Sequence, residues 1–164
     1  MRVAVQDANI IIDLIDCRIF ELFFRLDMEV VTTSLVLGEV SETSQRKRCQ
    51  AVIRKKLLHV VEISTLDYLR LQSLNLTGLS VPDRSALELA EAREACLLTG
   101  DGRLRKAAKS SDVEVRGILW VFDQLIGGRL LSKAEACTRL AKLKEHNQRL
   151  PQAEIEKRLK AWDG

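Results

Sequence analysis

Histidine, proline and aromatic residues are scarce in this chain of 164 residues: two His, two Pro, and seven aromatics (four Phe, two Trp, one Tyr). The two histidines, His59 and His146, lie far from any candidate nucleophile motif, and GxSxG is absent, so serine hydrolysis is unsupported. GxGxxG and GxxxxGK[ST] are also missing, which removes the dinucleotide and P-loop fingerprints. No apolar run approaches the roughly 18 residues of a membrane span. The four cysteines (Cys17, Cys49, Cys96, Cys137) are widely spaced and form no CxxC pair. They read as reduced, mostly buried thiols of a cytoplasmic protein, not as a zinc or disulfide framework. The N-terminus, MRVAVQDANIIIDLID, has one Arg and then acids inside its apolar part, a poor signal peptide and a good first strand.

Apolar residues make up 46% of the chain, enough for one domain with its own core. The net charge of +3 is too small to name a partner, but its distribution is uneven. Six Lys or Arg and no acid lie between Ser44 and His59. As a helix, this stretch points Cys49, Val52, Ile53 and Leu57 inward and Lys47, Arg48, Arg54 and Lys55 outward. That outward face is either an ordinary solvated surface or a patch that tracks phosphates. No aromatic lies in it, which argues against base stacking there.

Short apolar runs alternate with helical periods. Strands are expected at Val3–Gln6, Met28–Thr32, Leu58–Ile63, Ala95–Thr99 and Val113–Val115. Between them come a helix through Ile11, Ile15 and Ile19, one from Leu35 to Glu42 capped by Ser34, the basic helix, one from Thr65 to near Gly78, one opened by Ser80, and Leu104–Lys109. This alternation predicts an α/β fold, a parallel sheet with helices on both faces. The last third is helical: Gly117–Ile126, then a helix opened by the capping box Ser132–Glu135, then one started by Pro151 with Ile155, Leu159 and Trp162 on one face. The expected organisation is a domain over 1–128 and a helical extension over 129–164, packed on that domain or on a second copy.

Four carboxylates fall at or just past one edge of this sheet, where open α/β sheets bind ligands. Asp7 ends the first strand in VAVQDAN, and Asp101 follows the fourth in LLTGDG. Glu39 opens the helix after the second strand, and Asp83 sits in the first turn after Ser80. Each has a capping or surface role available to it. Helix capping requires no convergence, however, and four carboxylates in one place repel unless a cation sits among them. Such an oxygen-rich cluster suits Mg²⁺ or Mn²⁺, and two such ions can clamp an in-line phosphoryl displacement.

The ordered set VQDANIIIDLI, VTTSLVLGEV, VPDRSALELA and LLTGDGRLRKAA resembles the successive motifs of PIN domains, over about Val3 to Val115. The tail VRGILWVFDQLIGGRLLSKAEA is similar to that of a prokaryotic PIN subgroup. The resemblance implies the three-layer PIN fold and a Mg²⁺- or Mn²⁺-dependent ribonuclease, many members being VapC-like toxins paired with an antitoxin. Carried onto this sequence, the metal-binding catalytic acids are Asp7, Glu39, Asp83 and Asp101. Asn9 would orient Asp7 or a water, and Thr99 would brace the site through its hydroxyl. Glu42, one turn after Glu39, competes with it as the middle ligand. Arg103 stands where many members place a further acid, which puts a second metal in doubt. Arg103 and Arg105, with Lys47, Arg48, Arg54 and Lys55, are the expected RNA contacts.

The leading reading is therefore a cytoplasmic metal-dependent endoribonuclease with RNA, an antitoxin and a second copy as expected partners, and no membrane. The alternative is a catalytically weak PIN-like module that binds RNA or protein. A phosphate-handling enzyme of receiver or dehalogenase type fits less well, because Asn9 stands two residues after Asp7 where a paired acid is needed.

Overall fold

The computed structural model describes residues 2–163. Strands β1 (Arg2–Gln6), β2 (Met28–Thr33), β3 (Leu58–Val61), β4 (Cys96–Leu98) and β5 (Val115–Arg116) form one parallel sheet in the order β3-β2-β1-β4-β5. In register, Ala4 of β1 stands between Val30 of β2 and Cys96 of β4. Val5, Val31, Leu97 and Leu98 are wholly buried, as the near-continuous apolar runs of a parallel sheet covered on both faces require. The chain builds outward from β1 to β3, then returns to place β4 and β5 on the other side of β1. The reversal opens a crevice between the carboxyl ends of β1 and β4.

On one face lie α1 (Ala8–Asp16), α2 (Phe20–Phe23), α4 (Thr43–Arg54) and α8 (Ile118–Gly127); on the other lie α5 (Thr65–Ser73), α6 (Val81–Ala92) and α7 (Gly102–Ser110). A short helix, α3 (Ser34–Gly38), sits against α6. The three-layer α/β fold expected from the sequence, a parallel sheet with helices on both faces, is the fold observed. Phe20, Phe23 and Phe122 are fully buried in the core, together with Ile10, Ile11 and Leu14 of α1.

Several boundaries differ from expectation for local reasons. The first helix stops at Asp16 because Arg18 takes a left-handed φ of 60°, and Ile19 instead precedes α2. Thr33, not Ser34, caps α3 by accepting from the Val36 N–H at 3.1 Å. That helix ends at Gly38 with Glu39 as its C-cap, and Glu42 precedes α4. α5 ends at Ser73; Gly78, at φ 81°, lies in the loop that follows. Arg84 ties that loop down by donating to the carbonyls of Leu71, Gln72 and Leu76.

The last two helices, α9 (Lys133–His146) and α10 (Gln152–Asp163), form a hairpin against α8. Ala136, Leu140 and Leu143 of α9 and Ile155 of α10 are buried in the common core. Trp162 lies 6.0 Å from Phe122, and Arg158 grips Asp123 at 2.8 Å and 3.1 Å. The Ile155–Leu159–Trp162 stripe thus faces this chain's own core. At the α9–α10 turn, Asn147 Nδ2 donates to both oxygens of buried Asp13 at 3.2 Å. Asn147→Ala strips those bonds from a buried carboxylate and is expected to lower stability by about 1–3 kcal/mol. Urea unfolding at neutral pH checks this; an unchanged midpoint would mean that Asp13 finds other partners. No helix among the described residues is long and apolar enough to cross a membrane.

Candidate functional site

Four elements deliver the four acids to the crevice edge, each by a local device. Asp7 directly follows β1 and caps α1, its Oδ1 accepting from the Ala8 N–H at 2.7 Å. Its Oδ2 accepts from the Thr99 hydroxyl at 2.8 Å, across the β1–β4 gap. The Thr99 oxygen in turn accepts from the Asp101 N–H at 3.0 Å, so one buried hydroxyl links the Asp7 carboxylate to the Asp101 backbone. Asp101 caps α7 through Oδ1, 2.8 Å from the Leu104 N–H. Asp83 and Ser80 form a reciprocal capping box at the start of α6, using Asp83 Oδ2. Ser85, one turn on, is 2.8 Å from Thr33 and fastens that helix end to β2.

The capping roles weighed from the sequence are therefore real, and convergence is added to them. Asp7 is pushed up from 3.8 to about 6, chiefly by burial, with the charges of Asp83 and Asp101 adding to it. The Glu39 carboxyl is also raised, by burial first and then by Asp83 and Asp7, although part of the side chain remains open to solvent. Glu42 instead bonds the Ser44 hydroxyl on the exposed surface of α4. Of the two middle-ligand candidates, Glu39 is the one electrically coupled to the crevice.

Among the described residues, no Lys or Arg forms an ion pair with any of the four acids. As the side chains stand, no three His, Cys, Asp or Glu residues among those described are grouped closely enough to clasp an ion.

The other expected residues are placed unevenly. Asn9 is exposed and makes no hydrogen bond to Asp7, whose two oxygens accept from the Ala8 N–H and the Thr99 hydroxyl. Arg105 donates to the Thr99 carbonyl at 3.0 Å, and Gly117 lies close enough that a Cβ there would stand 3.4 Å from the Arg105 guanidinium. Arg103 lies across Gly78, its Cδ 3.2 Å from where a Cβ would project. A Cβ at Gly78 would press on the Arg103 side chain, and the positive φ there is one that glycine adopts without strain. Arg48 is held by Glu21 at 2.9 Å and 3.0 Å. Because α4 runs back from the carboxyl edge of β2 to the start of β3, Arg54 and Lys55 lie at the far edge of the sheet. The basic helix face is not gathered with the acids.

Sequence reasoning missed a groove of about 770 Å³ that begins beside the acids at Asn9, Gly100 and Arg105. It continues past Trp120 and Arg116 to His146, Asn147 and Arg149 at the α9–α10 turn. Its residues come from distant parts of the chain, from α1 to the α9–α10 turn, so no short window of the sequence marks it.

Asp7 and buried Asp13 give the fold a testable pH dependence. Both rise from 3.8 to about 6, Asp13 chiefly through burial. Above about pH 6 both are ionised in the folded and unfolded chains, and the fold bears the penalty of two buried charges. As pH falls through 6 the folded chain takes up protons that the unfolded chain does not, so stability rises. The gain is about 1.4 kcal/mol per group by pH 5, with a limit of about 3 kcal/mol. Thermal melts in EDTA should therefore show higher stability at pH 5 than at pH 7.5; a steady fall over that interval would refute it.

A parallel sheet covered on both faces, with Asp7 and Asp101 just past the carboxyl ends of neighbouring strands β1 and β4, defines an open-sheet α/β protein whose candidate site lies at the switch point. The chain belongs to the PIN-domain family: residues 3–164 match DUF3368, a PIN domain. PAE2754 from Pyrobaculum aerophilum is 16% identical, covering 75% of this chain and 96% of its own, with a TM-score of 0.50, a likeness of fold. VapBC2 from Rickettsia felis, solved bound to a DNA fragment from the promoter, is 20% identical over 70% of this chain and 98% of its own, at 0.46. A PilT N-terminus domain protein from Sulfolobus solfataricus is 15% identical over 73% and 89%, at 0.47. No curated protein matches the chain.

Proposed function

We propose that this PIN-domain chain is a metal-dependent endoribonuclease whose acids are Asp7, Glu39, Asp83 and Asp101. The observation that carries the proposal is that four elements bring four carboxylates to one edge of the sheet, near enough for Asp83 and Asp101 to raise Asp7 and for Asp83 and Asp7 to raise Glu39, with no basic side chain paired to them among the described residues. Their donor set is all oxygen and its charge is uncompensated, which fits one or two hard divalent cations such as Mg²⁺ or Mn²⁺. When bound, those ions would supply Lewis-acid charge to a phosphodiester displacement. Thr99 holds the Asp7 carboxylate in one orientation and fixes the Asp101 backbone beside it. Arg105 stiffens the same turn through the Thr99 carbonyl. The second oxygens of Asp83 and Asp101, not used in capping, remain to face an ion.

The test is cleavage of single-stranded and structured RNA by purified protein with Mn²⁺ or Mg²⁺, beside an EDTA control. Metal-dependent cutting is expected. Absence of cutting, with no heat released when Mn²⁺ is titrated into folded protein, would overturn the proposal. A second reading, an RNA- or protein-binding module without cleavage, is favoured by Arg103 packing on Gly78 where many members place an acid. Under that reading Mn²⁺ still binds but no RNA is cut. A toxin role would require an antitoxin; growth arrest on expression, relieved by an adjacent small gene, tests it.

A further inference from the structure

The groove running from the acids to the α9–α10 turn has no assigned occupant. Its acidic members are already engaged: Asp13 by Asn147, Asp16 by Gln45 at 3.1 Å, and Glu154 by Arg158 at 3.1 Å. Arg105 and Arg149 line it without a carboxylate partner among the described residues, and exposed Arg116 is tied only to exposed Glu114. Trp120 adds an aromatic ring to the wall, with the Arg2 guanidinium 5.7 Å from its centre. Arginines beside an aromatic ring, opening onto a phosphodiester-cleaving centre, are the elements of a single-strand channel, in which cations follow the backbone and bases stack. A volume of about 770 Å³ is that of a pocket enclosing a drug-sized ligand. It suits about two unstacked nucleotides.

From this, and resting on the nuclease reading above, we infer that single-stranded RNA enters the site through this groove. Arg116 and Arg149 bind its phosphates, Trp120 stacks a base, and the α9–α10 hairpin forms the channel's wall. The strand therefore leaves the acids toward the C-terminal helices, away from the basic face of α4. Because a groove of about 770 Å³ holds about two nucleotides of one strand, duplex RNA must be unpaired before it can be threaded.

The test is the affinity of a short fluorescent single-stranded RNA, measured in EDTA so that binding is read without cleavage. Arg116→Ala/Arg149→Ala changes two exposed residues that do not support the core. It should weaken binding and reduce the log–log salt slope by roughly 1.4, about 0.7 for each lost phosphate contact on a single strand. Trp120→Leu, which keeps an apolar filler, should weaken binding about tenfold with little change in salt slope. Matching melting temperatures would confirm that each variant is folded. The same RNA annealed into a blunt duplex should bind more weakly than the single strand. Unchanged affinity in the double variant overturns the inference and leaves the groove to a partner's peptide. Loss in Lys47→Ala/Arg54→Ala alone overturns it in favour of α4, and failure of the wild type to bind also overturns it. Binding through the groove without metal-dependent cutting would instead reject only the nuclease reading, while cutting that ignores the groove variants would reject only the channel.

Discussion

Asp7→Asn is expected to lose at least about 100-fold in metal-dependent RNA cleavage while raising the melting temperature of EDTA-treated protein at pH 7.5. The two effects have one cause. Asp7 is 2% exposed and is held at about 6 by burial and by neighbouring acids, so its charge is unfavourable to the fold at neutral pH. Removing that charge relieves up to about 3 kcal/mol, or roughly 2–4 °C per kcal/mol for a chain of this size. The amide oxygen can still accept from the Ala8 N–H, and asparagine is as good an N-cap as aspartate. On the other side the amide N–H₂ replaces an acceptor, and the Thr99 hydroxyl must rotate to receive it. The stabilisation should fade below about pH 5, where Asp7 in the wild type is itself protonated. Mn²⁺ should raise the wild-type melting temperature and have little effect on the variant. Wild-type cleavage by Asp7→Asn would sink the catalytic assignment. Lost cleavage with a lowered melting temperature would trace the loss to misfolding.

The fold was legible because its signals are local and mutually consistent. Apolar runs such as Val3–Val5 and Cys96–Leu98 read as buried strands, and Ser80–Asp83 and Ser132–Glu135 read as capping boxes. Element ends were less legible, since Arg18 at positive φ and the Gly38 stop depend on packing that no short window contains. Asp7, Asp83 and Asp101 could be proposed from the sequence because each sits at a strand end or helix start, and parallel topology sends those ends to one edge, whereas Glu39 lies at the C-cap of α3 and not in its first turns. Their coupling could not be read, nor could the bond from Thr99 to Asp7, which spans ninety-two positions. The setting of the basic helix was not legible either. Composition marked Lys47, Arg48, Arg54 and Lys55 as a patch, whereas a parallel crossover carries the end of that helix with Arg54 and Lys55 away from the site edge, and Glu21 takes up Arg48. The groove was illegible because its wall joins α1 to a turn more than a hundred residues later.

Ile155→Ala is expected to be among the most destabilising single substitutions in the chain, at about 2–5 kcal/mol. From the sequence, Ile155 sat on a helix that could have packed on either this chain or another. In the structure it is wholly buried in the one core, on a hairpin clamped by Arg158–Asp123 and by Trp162 against Phe122. Truncation to alanine removes three carbons from a site whose neighbours belong to fixed helices, so the cavity cannot close fully. A domain of this kind has about 5–15 kcal/mol of stability in total, so the loss takes a large share of it. The denaturant midpoint should fall without a concentration dependence, because the contact lies within one chain; a midpoint that rises with protein concentration would place the stripe at a dimer interface instead. The functional consequence separates scaffold from site. Loosening the hairpin disturbs Asn147 and Arg149 on the groove wall but leaves Asp7, Thr99 and Asp101 just past the ends of the central strands. At temperatures where Ile155→Ala remains folded, Mn²⁺ uptake should therefore match the wild type while single-stranded RNA affinity falls. Equal loss of both would mean that the C-terminal hairpin supports the acids as well as the channel.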